Sequence, residues 1–172
     1  MMLKDIPPPP GPPPRRSNKP MPPYRYVPGC HPHPFRHPGG HSYTGGGPPL
    51  EDPSQNTTLW IHGCDLFDHR YYWEAHEAWE ACWHHSPPGA DRERLQGLIQ
   101  AAAALLKRHM GHHRPARRLQ DSALRRLRAA TRDGGRLQGG LDLEQTTTVI
   151  AEAFAAGGWP LLVDQSASGR IC

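Results

Sequence analysis

The run Tyr72-Trp73-Glu74-Ala75-His76-Glu77-Ala78-Trp79-Glu80-Ala81-Cys82-Trp83 holds the side chains best suited to chemistry in this sequence. On a helix advancing about 100° per residue, His76 and Glu80 stand one turn apart on the same face. Trp73 and Trp83 flank them, with Tyr72 and Trp79 just beyond. Glu77 sits on the margin of that face and Glu74 further round. Aromatic groups of this size are normally buried, so the imidazole and carboxylate are expected to be drawn partly inside with them.

Such a pair admits three chemistries. In a structural network, Glu80 accepts from a ring N–H of His76 while Gln100 or backbone completes the bonding. In a metal site, the i, i+4 spacing supplies half of the ligands, as in zinc and di-iron bundles. The others would come from Glu77, from His62, Asp65 or His69, from His109, or from a second subunit, which leaves homo-oligomerisation open. In the third case Glu80 raises the basicity of His76 and makes it a general base for a bound substrate. On spacing alone the structural network ranks first and the metal site second. Other catalytic signatures are missing: there is no G-x-S-x-G, no Walker loop and no dinucleotide fingerprint. His76-Glu77 opens an H-E-x-x-H motif, but position 80 is Glu.

The elements that must position these groups read as helices. Leu59, Trp60, Gly63, Cys64 and Phe67 recur at three- and four-residue steps and predict a first helix ending near Asp68. The second spans about Tyr71 to His85 and is broken by Pro87-Pro88-Gly89. Pro88 or Asp91 starts a third, whose apolar face (Leu95, Leu98, Ile99, Ala102, Leu105, Leu106) fades by Gly111. Gly97 and Ala101–Ala104 let neighbours approach on more than one side, as the central helix of a bundle requires. Gln96 and Gln100 place two amides one turn apart, facing either the second helix or solvent. A fourth helix follows Pro115, and Asp133-Gly134-Gly135 with Gly139-Gly140 form a loop. Asp142 caps a fifth, with Gln145 three residues on, running to about Ala156. Trp159 to Val163 is expected to fold back as an apolar strap. No segment has strand periodicity, so the fold class is all-α, a small bundle of about five helices.

Composition divides the chain. Of 172 residues 21 are Pro and 18 Gly, and most of the prolines precede Leu59. Residues 1–53 are therefore expected to form a disordered or polyproline-like Pro/Gly/His-rich arm, 54–163 the helical domain, and 164–172 a flexible tail. His31, His33, His37 and His41 in the arm read as an incidental tract or a loose site for a divalent ion. The formal charge of +4 comes from the arm, where six basic residues face Asp5 alone before residue 51. The rest is polarised, acidic from Glu51 to Asp91 and basic from Lys107 to Arg136. Two oppositely charged helical faces explain that better than a nucleic-acid surface, so nucleic acid is not an expected partner. Cys30, Cys64, Cys82 and Cys172 lack metal or disulfide spacing and suit free thiols in a reducing compartment. No secretory h-region and no 18-residue apolar run is visible, which predicts a cytoplasmic protein without a membrane span.

Leu66-Phe67-Asp68, Tyr72-Trp73-Glu74-Ala75-His76-Glu77, Glu80, Trp83 and Leu95-Gln96-Gly97-Leu98-Ile99-Gln100 together resemble the DUF309 family, small all-α bacterial and archaeal proteins of unassigned function. His76, Glu80 and Trp83 match its His-x-x-x-Glu-x-x-(Trp/Tyr) hallmark, and residues 95–100 match its second block. The resemblance covers about Leu59 to Leu127. It implies metal binding at His76 and Glu80. The leading expectation is a binding module in which this pair holds a divalent metal ion or small polar ligand, with Glu77, Gln96, Gln100 and Trp83 around it. The alternatives are an interaction protein whose polar pair is structural, and a metal-assisted hydrolase using Glu74 or Glu77 for proton transfer. One departure stands out: the family tends to place Gly between its first two helices, about where this chain has Arg70. If that turn needs positive φ, Arg costs about 1 kcal/mol there.

Overall fold

The computed structural model describes residues 4–45, 56–132 and 141–162. Five helices follow one another: α1 (Asn56–Asp68), α2 (Tyr72–His84), α3 (Ala90–His109), α4 (His113–Arg132) and α5 (Leu143–Ala156). No strand occurs among the described residues, and the fold is all-α. Helix α3 packs against both α2 and α4, while α1 lies on α2 and α5 on α4. Ala101, Ala102 and Leu98 are fully buried in this central helix. A Cβ at Gly97 would lie 2.8 Å from Leu127 Cγ, so α4 reaches α3 only because that side chain is missing. Gly63 plays the same part for α2, since a Cβ there would come within 2.6 Å of Cδ1 of Trp79. The Trp79 indole, fully buried, donates instead to the carbonyl of Trp60 at 3.3 Å.

Local signals account for the boundaries. Asp142 caps α5 and accepts from the Gln145 N–H at 2.9 Å. Gly157 closes that helix at φ 71°. Helix α4 begins two residues before Pro115, because a proline in the first turn has no helical N–H bond to lose. The glycine loop read from Asp133 to Gly140 lies outside the described residues. The apolar strap is present: Trp159 stacks on Tyr72 with centroids 5.6 Å apart, and Leu162 is buried.

The turn between α1 and α2 does need positive φ. Arg70 sits at φ 66°, the one such non-glycine residue among those described. The Tyr71 N–H returns to Leu66 O at 2.8 Å, closing α1 as a left-handed cap. The arginine offsets its backbone cost with contacts. Nη1 donates to Pro7 O and Pro8 O at 3.1 and 3.2 Å, and the guanidinium lies over the Trp159 ring. Arg70→Gly and Arg70→Ala both lose those contacts, but only glycine relieves the backbone. The alanine variant should therefore unfold about 1 kcal/mol more easily than the glycine variant in urea. Equal stabilities would show that this conformation carries no cost.

Residues 4–45 lack helix and strand and pack on the bundle. Ile6 and Val27 join the hydrophobic core at 2% and 0% exposure. The carboxylate of Asp65, on α1, accepts from the N–H groups of Arg16 and Ser17 and from the Ser17 hydroxyl, at 2.7 to 2.8 Å. Asp68 accepts from Arg16 Nη1 and from Leu162 N–H, both at 2.7 Å. One turn of α1 thus holds both the arm and the C-terminal strap. Composition underrates the arm because its docking depends on charged and backbone groups meeting carboxylates on α1, which a count of apolar residues does not register.

Candidate metal centre

Helix α2 carries apolar positions toward α1 and α3, and its remaining face sets the polar groups. Tyr72, Ala75, Trp79 and Cys82 are buried, and between them run His76, Glu77 and Glu80 at intermediate exposure. Their side chains are 28%, 31% and 42% exposed, so the polar group stands at the rim of the bundle. The expectation that His76 and Glu80 look inward among tryptophans is met only in part. Trp79 turns fully into the core, whereas Trp73 and Trp83 are half-buried. His76 Nδ1 lies 3.3 Å from Glu77 Oε1 and 3.9 Å from Glu80 Oε2. It is itself buried and without a hydrogen-bond partner. One nitrogen and two carboxylate oxygens fall within 4.8 Å of one another, the one group of three or more potential ligand residues of this kind among the described residues.

The other side chains singled out from the sequence are distributed differently. Glu77, placed at the margin, belongs to the cluster. Glu74 turns away: it is buried against the arm, and its Oε1 accepts from the Tyr26 N–H at 2.9 Å and meets His41 Nε2 at 3.1 Å. Trp83 and Gln100 each hold a buried polar atom, Nε1 and Oε1, with no hydrogen-bond partner, and Gln96 is half-buried. His62 approaches Ser17 Oγ, Asp65 binds the arm, His69 Nδ1 meets Asp65 O, and His109 Nε2 meets Lys4 O at 2.6 Å. None of these four joins His76. The arm histidines have partners of their own: His31 faces Asp5 at 3.2 Å, while ring nitrogens of His33 and His37 accept backbone N–H groups. The role of Tyr26 and His41 in holding Glu74 was not legible, since nothing in the spacing ties residues 26 and 41 to position 74. Cys30 and Cys64 are free thiols, and burial pushes the Cys64 thiol up.

His62 shows why an imidazole nearby is not automatically a ligand. Burial, then the positive charge of Lys19, push it down to about 4, with Asp65 opposing and Arg15 adding the smallest effect. The folded protein therefore binds this proton less tightly than the unfolded chain does. Its contribution is complete above pH 6.5 and is lost as pH falls from there towards 4. After allowance for solvent screening the loss is on the order of 1 kcal/mol. Asp68, pushed up by burial, acts in the opposite sense at the acid end. Urea midpoints at pH 7 and pH 4.5 should therefore differ less in His62→Gln than in the unsubstituted chain. An identical pH dependence in the two proteins would contradict this assignment.

Three donors from one helix face can form one side of a coordination sphere. In a tetrahedral arrangement, ligand atoms about 2.1 Å from a metal lie roughly 3.4 Å apart, so the two measured separations need only small side-chain rotations. The partial exposure leaves the outward positions to water or to a ligand. No helix among the described residues is long and apolar enough to cross a membrane. The family model of DUF309, a domain of unknown function, matches residues 60–119, which include α2 and most of α1 and α3. No curated protein and no solved structure matches the chain.

Proposed function

We propose that this chain, whose residues 60–119 match the DUF309 family model, is a binding module that holds a divalent metal ion through His76 Nδ1 and the carboxylates of Glu77 and Glu80. The observation that carries the reading is the convergence of two carboxylate oxygens on a nitrogen that is buried and lacks a hydrogen bond. A purely structural pair is less well supported. Glu80 stands 3.9 Å from the imidazole, beyond hydrogen-bond reach, and the amide oxygen of Gln100 completes nothing. One imidazole and two carboxylates suit borderline Zn²⁺ or the harder Mn²⁺. When bound, the ion would supply a positive centre that attracts a small polar ligand at its open positions. Trp83, Gln96 and Gln100 are the groups proposed to meet that ligand.

Hydrolysis has weaker support than binding. Of the two candidate proton-transfer groups, Glu77 serves here as a ligand, and Glu74 is engaged by Tyr26 and His41. Isothermal titration of the full chain, purified without a His-tag, with Zn²⁺ and with Mn²⁺ tests the proposal. The expected result is one saturable site for at least one of the two ions, weakened strongly by His76→Ala and by Glu80→Gln. Binding that neither substitution changes would overturn it.

A further inference from the structure

A second site lies on the opposite side of α2 from the metal ligands. A cavity of about 320 Å³ opens between the first turns of α1, the end of α2 and the first turns of α3, and its lining includes Thr57, Trp60, Ser86, Asp91, Arg94 and Leu95. None of His76, Glu77 or Glu80 borders it. Arg94 is the one Lys or Arg in the lining, and its side chain is only 2% exposed. The guanidinium lies over the Trp60 ring, 4.6 Å from the centroid, but Nε and Nη1 are buried without hydrogen-bond partners. The Trp60 indole N–H is unpartnered as well.

A buried guanidinium with unused donors is costly unless an acceptor completes it. Asp91 answers only part of that need. Its carboxylate stands 3.2 Å from Nη1, off the N–H direction, and is 50% exposed to solvent. Burial works against the charge on Arg94, and Asp91 only partly supports it. The helix adds to the same demand: α3 starts after Gly89 with no side-chain cap, and Asp91 of its first turn lines the cavity near the positive dipole end. The lining thus offers a cation and several donors beside the apolar walls of Trp60 and Leu95.

We infer that this cavity binds a small organic carboxylate, its oxygens paired with Arg94 and the start of α3 and its apolar body against Trp60 and Leu95. Asp91 marks where an oxyanion sits, and it swings to solvent when the ligand enters. With Asp91 turned to solvent, one guanidinium balances a singly charged carboxylate but is undercharged for a phosphate dianion. The volume is at the lower end of the range for small-molecule sites, room for one ring and its acid group.

Benzoate, neutral benzamide and inorganic phosphate are suitable probes of the full chain, read by the Trp60 indole N–H signal in NMR, assigned with Trp60→Phe. Benzoate should shift that signal saturably, benzamide should not, and phosphate should bind more weakly than benzoate. Asp91→Asn, on a half-exposed side chain, should tighten benzoate about fivefold by removing a like charge. Arg94→Gln should weaken it at least about tenfold. If Arg94→Gln does not fold, the Asp91 variant still decides the matter. Equal binding of benzamide, tighter binding of phosphate, or no gain in Asp91→Asn would overturn the inference.

Discussion

Arg16→Met should lower the free energy of unfolding by about 3 kcal/mol at neutral pH. Asp68 is nearly inaccessible, and the Arg16 guanidinium is the one cation among the described residues bonded to it, at 2.7 Å. Methionine keeps much of the side-chain volume but leaves a buried carboxylate with only the Leu162 N–H. The same arginine donates to Leu162 O, so the strap and the arm loosen together. The loss has a defined pH dependence. Burial already pushes the Asp68 carboxyl up, and without Arg16 it rises further. A group whose folded pKa exceeds its unfolded value weakens the protein fully above the folded pKa, and the penalty fades as pH falls from there to the unfolded pKa. The deficit in Arg16→Met should therefore shrink toward pH 4. Arg16→Met/Asp68→Asn, which removes the unpaired charge, should recover part of the stability. Urea unfolding of the single and double variants checks both statements, and a double variant less stable than Arg16→Met would refute the ion-pair account.

His76→Ala should weaken the proposed metal affinity by at least about 100-fold, because changes one shell further out already cost 10–100-fold in metal sites. The imidazole is the one nitrogen donor of the cluster, and the remaining carboxylates, both partly exposed, bind a divalent ion as weakly as any surface acid pair. Glu74→Gln separates this effect from general damage. Glu74 lies on the same helix but holds Tyr26 and His41 of the arm, so its loss should lower stability while leaving metal affinity within a few fold. Titration calorimetry and urea unfolding on the two variants make that comparison. Parallel losses of affinity in both would place the effect in the folding of α2.

Much of the fold was legible because three- and four-residue spacing, Pro87-Pro88-Gly89 and the Asp142 cap are local signals, and the helices follow them closely. Positive φ at position 70 was raised only as a condition by the DUF309 resemblance, since the family tends to place Gly there and this chain has Arg. The docking of the arm was not, because Ile6 and Val27 are isolated apolar residues whose burial depends on surfaces formed by α1 and α2. The candidate site was legible in its members and less so in its setting. Angular spacing grouped His76 with Glu80 and put Glu77 at the margin, but the depth of the group depends on which tryptophan enters the core. Trp79 does, and the polar stripe beside it is left at the rim. Arg94 gave no signal, since Asp91-Arg92-Glu93-Arg94 reads as a solvated run, and only the packing of Trp60 shows that the last of these is enclosed.

X-ray absorption at the zinc edge, on tag-free full chain carrying one equivalent of Zn²⁺, addresses the metal centre most directly. The spectrum should fit one imidazole nitrogen with oxygen neighbours and no sulfur, and the imidazole scattering should vanish in His76→Ala. Two or more imidazoles per ion, or scattering that His76→Ala leaves unchanged, would move the metal to other histidines such as those of the arm and contradict the assignment to α2.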